Sequence, residues 1–234
     1  MTLALSRLAS HASATYKLPM AELLDIARVP GETVAGCSIS GRTIAGLCVG
    51  AQSPTLESMP RIVDAQVRDV VLGGAVVQWV VFERCLFENL SGPTLIVSGL
   101  FRQTRLAGTF GRIMVRDTVL PEEGASLFRT LRRRFYAASD WSLDISAAEF
   151  VEFDCRNIPG DRIVRNETEQ GLVVRSGAER ALRTPALQAN AWRGTLERRL
   201  EGDLESWVLV PPRGRPGKAL RAALADLRNE GCAL

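Results

Sequence analysis

The sequence predicts a mainly β chain whose short strands wind into a parallel β-helix, with a helical insertion and a C-terminal α/β appendage. Three observations carry this. From Thr33 to about Val119 the chain is rich in Val, Ile, Phe, Thr and Gly and loses helical periodicity. Within that tract Val67, Leu72, Val77, Phe82 and Phe87 recur at every fifth residue. Amphipathic helical patterns interrupt and follow the tract, but they do not share its period.

The elements follow in chain order. Residues 1–32 form an N-terminal helical cap: Pro19 suits a first turn, Met20, Leu23, Leu24 and Ala27 share a face, and Gly31 closes the segment. Residues 33–165 carry the repeat. Val34, Ile39, Ile44 and Val49 begin it with the same step. Two positions before each large residue of the central run stand Ala65, Val70, Ala75, Val80 and Cys85, and after each comes a polar or turn-forming pair, Arg68-Asp69 to Glu88-Asn89. Two inward side chains flanking one outward residue make a very short strand, and two further residues turn a corner. Four such units give a coil of about twenty residues, and stacked coils bury a continuous core. Beyond Gly92 the step reaches Val97 and then slips, with Phe101 and Leu106 in one phase and Phe110, Val115 and Leu120 in another. Phe153, Ile158 and Ile163 are a last echo. The competing expectation is an antiparallel β-sandwich, in which Val70 to Val77 is a hairpin with a Gly73-Gly74 turn.

A helix is inserted over residues 121–139, with Leu127, Phe128, Leu131 and Phe135 on one face and Arg129, Arg132, Arg133 and Arg134 as a solvated cluster. Residues 166–234 form the appendage. Gly171 to Arg175 is a strand, Thr184-Pro185 starts a helix with Ala189, Trp192, Leu196 and Leu200 as its stripe, and Leu204 to Val210 is a second strand. A final helix runs from Lys218 to Asn229.

The five-residue step resembles the pentapeptide-repeat family, a right-handed quadrilateral β-helix. Val80-Val81-Phe82-Glu83-Arg84 and Cys85-Leu86-Phe87-Glu88-Asn89 come closest. The family's Asp or Asn before the central residue is replaced by Gln66, Val71, Val76, Val81 and Leu86, while Arg42, Arg156 and Asp161 stand where small inward residues belong. The resemblance implies a rigid rod used for recognition, including proteins that protect a cell by binding a toxin or a topoisomerase. The family's gyrase-protecting members carry a strongly acidic surface, which a net charge of +3 does not match.

The 234 residues are 46% hydrophobic and 24% charged, with 29 basic and 26 acidic side chains. This mild balance suits neither a DNA mimic nor a dedicated nucleic-acid binder. Of the basic residues only Lys17 and Lys218 are lysine, a skew of the kind GC-rich bacterial coding produces. Cys37, Cys48, Cys85, Cys155 and Cys232 are odd in number and widely spaced, as expected of free thiols in a reducing cytoplasm. No signal peptide or membrane span is expected. His11 is the only histidine, no Cys/His cluster has metal-ligand spacing, and no glycine motif cradles a nucleotide, so neither cofactor nor metal is expected.

Function is therefore expected in contact. Val71, Val76, Val81 and Leu86 lie outward, with Trp79, and need a cover: a terminal helix, a second copy in a homodimer, or a foreign partner. The expected partner is another protein, a toxin or effector in the immunity-protein reading, or a component whose assembly the chain assists. Trp79, Phe128, Arg129, Arg132 and Arg133 are the candidate binding residues, and no residue is assigned to catalysis. The alternative is a carbohydrate-active β-helix enzyme using paired carboxylates among Glu149, Glu152, Asp154 and Asp161, near Arg156 and Arg162.

Overall fold

In the computed structural model, the described residues are 31–44, 47–51, 53–116 and 122–234. The N-terminal cap, His11, Leu120 and the side chains of Cys48 and Val49 lie outside them.

A twelve-stranded sheet dominates. Its strands are β1 Thr33–Ala35, β2 Ser38–Ser40, β3 Thr43–Ile44, β4 Leu47–Gly50, β5 Arg61–Val63, β6 Gln66–Leu72, β7 Ala75–Glu83, β8 Leu86–Ser91, β9 Leu95–Arg102, β10 Thr104–Val115, β11 Leu143–Cys155 and β12 Ile163–Val164. Every pairing in it is parallel, and the sheet curls through 265° into a half-barrel. Over β1 to β8 consecutive strands do not pair with each other, whereas β9 pairs with β10, β10 with β11 and β11 with β12. Gln66 lies beside Leu86 and Ala75 beside Leu95, an offset of twenty residues in both cases. The hairpin and sandwich expectations therefore fail: β6 and β7 are successive segments of the curl, each hydrogen-bonded to the strand twenty residues on.

The five-residue step sets the corners. Asp64, Asp69, Trp79, Arg84 and Asn89 all have φ between 51° and 55°, and Gly74 completes the series at 120°. A left-handed residue every fifth position turns the chain sharply between two-residue straights. Inside, Ala65, Val70, Ala75, Val80 and Cys85 are buried, as are Leu72, Val77 and Phe82, while Val67 and Phe87 are partly buried against the same core. Phe82 stacks on Phe101 with centroids 5.3 Å apart and meets Phe87 edge-on at 5.5 Å.

The phase slip beyond Gly92 has a local cause. Gln78 pairs with Ser98 but Val81 pairs with Leu100, so the next turn makes the Trp79-Val80 corner with Gly99 alone. A Cβ on Gly99 would lie 2.8 Å from the Val80 carbonyl oxygen, which explains why glycine stands there.

Helix α1, Glu122–Ala137, is inserted between β10 and β11. Its buried stripe is Phe128, Arg132, Phe135 and Tyr136, with Leu131 partly buried. Leu127, expected inside, is 58% exposed, because one residue along a helix rotates a side chain by about 100° from the Phe128 direction. α1 lies over the curled sheet: Gly124 faces the Trp79 indole, the Phe101 amide donates to the Tyr136 hydroxyl at 3.3 Å, and Arg102 stacks on the Phe135 ring at 4.6 Å. The cover over Trp79 thus comes from the inserted helix.

Residues beyond 170 build a second core. β13 Gly171–Val174 pairs antiparallel with β14 Ser206–Leu209, and α2 Arg175–Arg183, α3 Arg193–Leu200 and α4 Arg215–Asn229 enclose Val173, Leu196, Trp207, Leu224 and Leu227. Pro185 opens only a short 3₁₀ turn, and α3 starts at Arg193. Asn190 accounts for the delay: its side-chain oxygen accepts from the Trp192 amide at 3.0 Å and its amide donates to the Ala223 carbonyl at 2.8 Å. Val208 and Val210 reach instead into the core of the large sheet. Among the described residues no helix is long and apolar enough to cross a membrane.

Candidate functional site

The residues expected to bind separate into two places. On α1, Phe128 is fully buried and Trp79 lies beneath the helix at 4% exposure, so both are part of the core. Arg132 is also buried. Its guanidinium donates to Asp203, in the loop between α3 and β14, and Arg133 donates to the other oxygen of that carboxylate at 2.7 Å and 3.0 Å. The expectation of a uniformly solvated arginine cluster is corrected here. Burial pushes the Asp203 carboxyl up, but the hydrogen bonds and charges of Arg132 and Arg133 together outweigh it and hold it below its ordinary value. The Asp203 loop is itself pinned. Arg175 donates to the carbonyls of Leu200, Gly202 and Leu204 and stacks over Trp207 at 5.5 Å. The residues that α1 presents to solvent include Leu127, Thr130, Arg133 and Arg134, with Arg129 half-buried.

The four carboxylates of the enzyme reading do not converge on one place, although Glu152 and Asp154 line the same groove. Glu149 lines one groove, with Glu169, Arg213 and Arg221. Asp161 accepts from the Ser206 hydroxyl at 2.7 Å. Glu152 is held by Arg112 at 2.6 Å, its lateral neighbour on β10. Asp154 sits among three guanidinium groups, those of Arg199 at 2.8 Å, Arg156 at 2.9 Å and Arg116 at 3.7 Å.

That last cluster lines a groove of about 460 Å³ between the outer face of β11 and the second core. Sheet register builds half of it. Val115 pairs with Cys155, so Arg116 and Arg156 leave adjacent strands side by side. The Arg156 amide donates to the Val115 carbonyl at 2.7 Å, and Asn157 donates to the Arg116 carbonyl at 3.1 Å, which fixes both backbones. α3 contributes Arg198 and Arg199 from its last turn, and Val208, Val210, Pro212 and Leu220 form an apolar wall. Arg199 is 5% exposed, and its Nη1 has no hydrogen-bond partner. The Nε of Arg116 is likewise buried and unpartnered. Desolvation lowers the pKa of Arg199, the Asp154 carboxylate opposes that shift, and the Arg156 charge adds to it.

Sequence reasoning named Asp154 and Arg156 but missed Arg116, Arg198 and Arg199 as their companions. Arg199 lies 45 residues from Asp154 in the chain, and no local spacing signals that pairing. Among the described residues no group of three or more His, Cys, Asp or Glu side chains is placed to hold a metal ion. No protein-family model matches the chain, and neither does any curated protein or any solved structure.

Proposed function

We propose that the chain is a non-enzymatic recognition scaffold: a right-handed parallel β-helix of pentapeptide-like coils that acts by occupying a partner protein's surface. The ridge of α1 is its contact element. The observation that carries this reading is the outer face of α1, where Leu127 is 58% exposed and Arg134, two turns on, stands on the same side of a helix fixed from beneath by Trp79, Phe101 and Asp203. A leucine held on a rigid helix inserts into an apolar pocket with little further loss of conformational freedom. The exposed Arg134 guanidinium selects a partner with a carboxylate beside that pocket. Such a partner fits an acidic toxin or effector, and the contact would bury about 1,200–2,000 Å² in total.

The test places a photo-crosslinking residue at the exposed position 130, one turn from Leu127, in cells of the source organism. One acidic protein should be captured, and Leu127→Asp or Arg134→Glu should abolish both capture and the biological effect without moving the melting temperature. Glu149→Ala, Glu152→Ala and Asp161→Ala should keep both. If one of those carboxylates proves indispensable while the partner still binds, the chain is an enzyme and the occlusion reading is wrong.

A further inference from the structure

The groove between β11 and the second core poses an electrostatic problem that the protein alone leaves unsolved. Arg116, Arg156 and Arg199 share one carboxylate, Asp154, and Arg198 stands exposed at the same groove. Glu152 also lines it but is engaged by Arg112 at 2.6 Å. Adjacent parallel strands place Arg116 beside Arg156 by register, a like-charge neighbour pair that destabilises a sheet. Buried donors without acceptors are costly as well, yet Arg199 Nη1 and Arg116 Nε are both in that state. Helix α3 brings its C-terminal turn to the groove, so the cluster does not rest on a helix N-terminus.

We propose that this groove is a binding site for a small organic dianion, a phosphate monoester with an apolar body. A dianionic headgroup would meet the surplus of guanidinium charge and accept from the exposed Arg156 and Arg198. Forked guanidinium groups match the oxygens of a phosphate in pairs. Val151, Pro212 and Leu220, the apolar lining residues that keep exposed surface, then receive the organic portion. A groove that is polar on one side and apolar on the other separates this ligand from bare phosphate, which uses only one side, and from a neutral aromatic, which uses only the other. The inference is independent of the α1 contact, since Leu127 is not part of the groove.

The experiment titrates the full chain with phenyl phosphate, inorganic phosphate and phenol, by calorimetry and by the ³¹P shift of the two phosphates. Phenyl phosphate should bind more tightly than inorganic phosphate, and phenol should not bind. Arg156→Ala and Arg198→Ala, both at exposed positions, should each weaken phenyl phosphate roughly tenfold, the loss of one charge-assisted hydrogen bond. Arg102→Ala, on the α1 side of the sheet, should leave it unchanged. Arg199→Met is a harsher variant, read only if it melts like the parent, and it should abolish binding. The proposal is overturned if the folded parent chain binds no phenyl phosphate at millimolar concentration, if the two phosphates bind equally, or if Arg156→Ala and Arg198→Ala bind as the parent does.

Discussion

Arg132 and Arg133 are adjacent in sequence and opposite in circumstance. Both donate to Asp203, but the Arg132 side chain is 1% exposed and that of Arg133 is 64% exposed. Arg132→Ala empties a buried site and leaves Asp203 with the exposed Arg133 alone, so it should cost about 3–5 kcal/mol. Arg133→Ala leaves Arg132 in place and removes a screened contact, so it should cost under about 1 kcal/mol. Urea unfolding of the two variants checks the difference. Asp203 adds a pH signature. Its folded pKa lies below its ordinary value, so its contribution is complete above about pH 4 and is lost as pH falls through the lowered value. Parent and Asp203→Asn stabilities should therefore converge in acid, which melting between pH 7 and pH 3 would measure. None of this was legible in the run of arginines. Asp203 lies 70 residues beyond Arg133, and only the docking of the Arg175-pinned loop makes one arginine of the run a core residue.

At the level of the element, the inward columns were legible because a five-residue step leaves the large and small apolar residues in fixed places. Phe82, flanked by Phe87 and Phe101, should cost about 3–5 kcal/mol when cut to alanine, by chemical denaturation. The corners were legible as turn-forming pairs, but not as left-handed residues, because Asp69, Arg84 and Asn89 carry no glycine to announce the conformation. Asn89 tolerates φ 53° and uses its side chain between layers, donating to Asp69 at 2.9 Å and accepting from the Thr109 amide at 3.0 Å. Asn89→Val should therefore destabilise the chain by about 1–3 kcal/mol, while Asn89→Gly, which keeps the left-handed backbone at ease, should cost less. Helix α2 escaped the sequence reading. Val174 provides no side-chain cap at its start, and its buried face is Gly177, Ala178 and Ala181, residues too small to mark an apolar stripe. Gly177 is required there, since a Cβ would meet the Cys232 carbonyl oxygen at 2.5 Å.

On the scale of the whole molecule, the described thiols report how tightly the two cores close. Cys37, Cys85, Cys155 and Cys232 are free and buried, and burial pushes the Cys85 and Cys155 thiols up to about 11. These thiols should react slowly with a thiol reagent in the native state, while all five cysteines of the chain react at once in denaturant. Fewer than five would reveal a bridge or an oxidised group. The thirteen residues of β11 have a further bearing. β12 pairs with only Leu143 and Asp144, so most of the strand's far edge lacks a strand neighbour among the described residues. The appendage meets that edge piecemeal: Gln170 donates to the Ile145 carbonyl at 3.2 Å and the Arg213 amide to the Phe150 carbonyl at 2.7 Å. A chain cut after residue 165 would keep all twelve strands of the curled sheet but lose Asp203, Val208 and Val210 and bare a long parallel edge, a template on which further copies can polymerise. Such a fragment should seed amyloid-like fibrils that bind thioflavin while the full chain stays dispersed, which makes the last 69 residues a growth terminator as well as a wall of the groove.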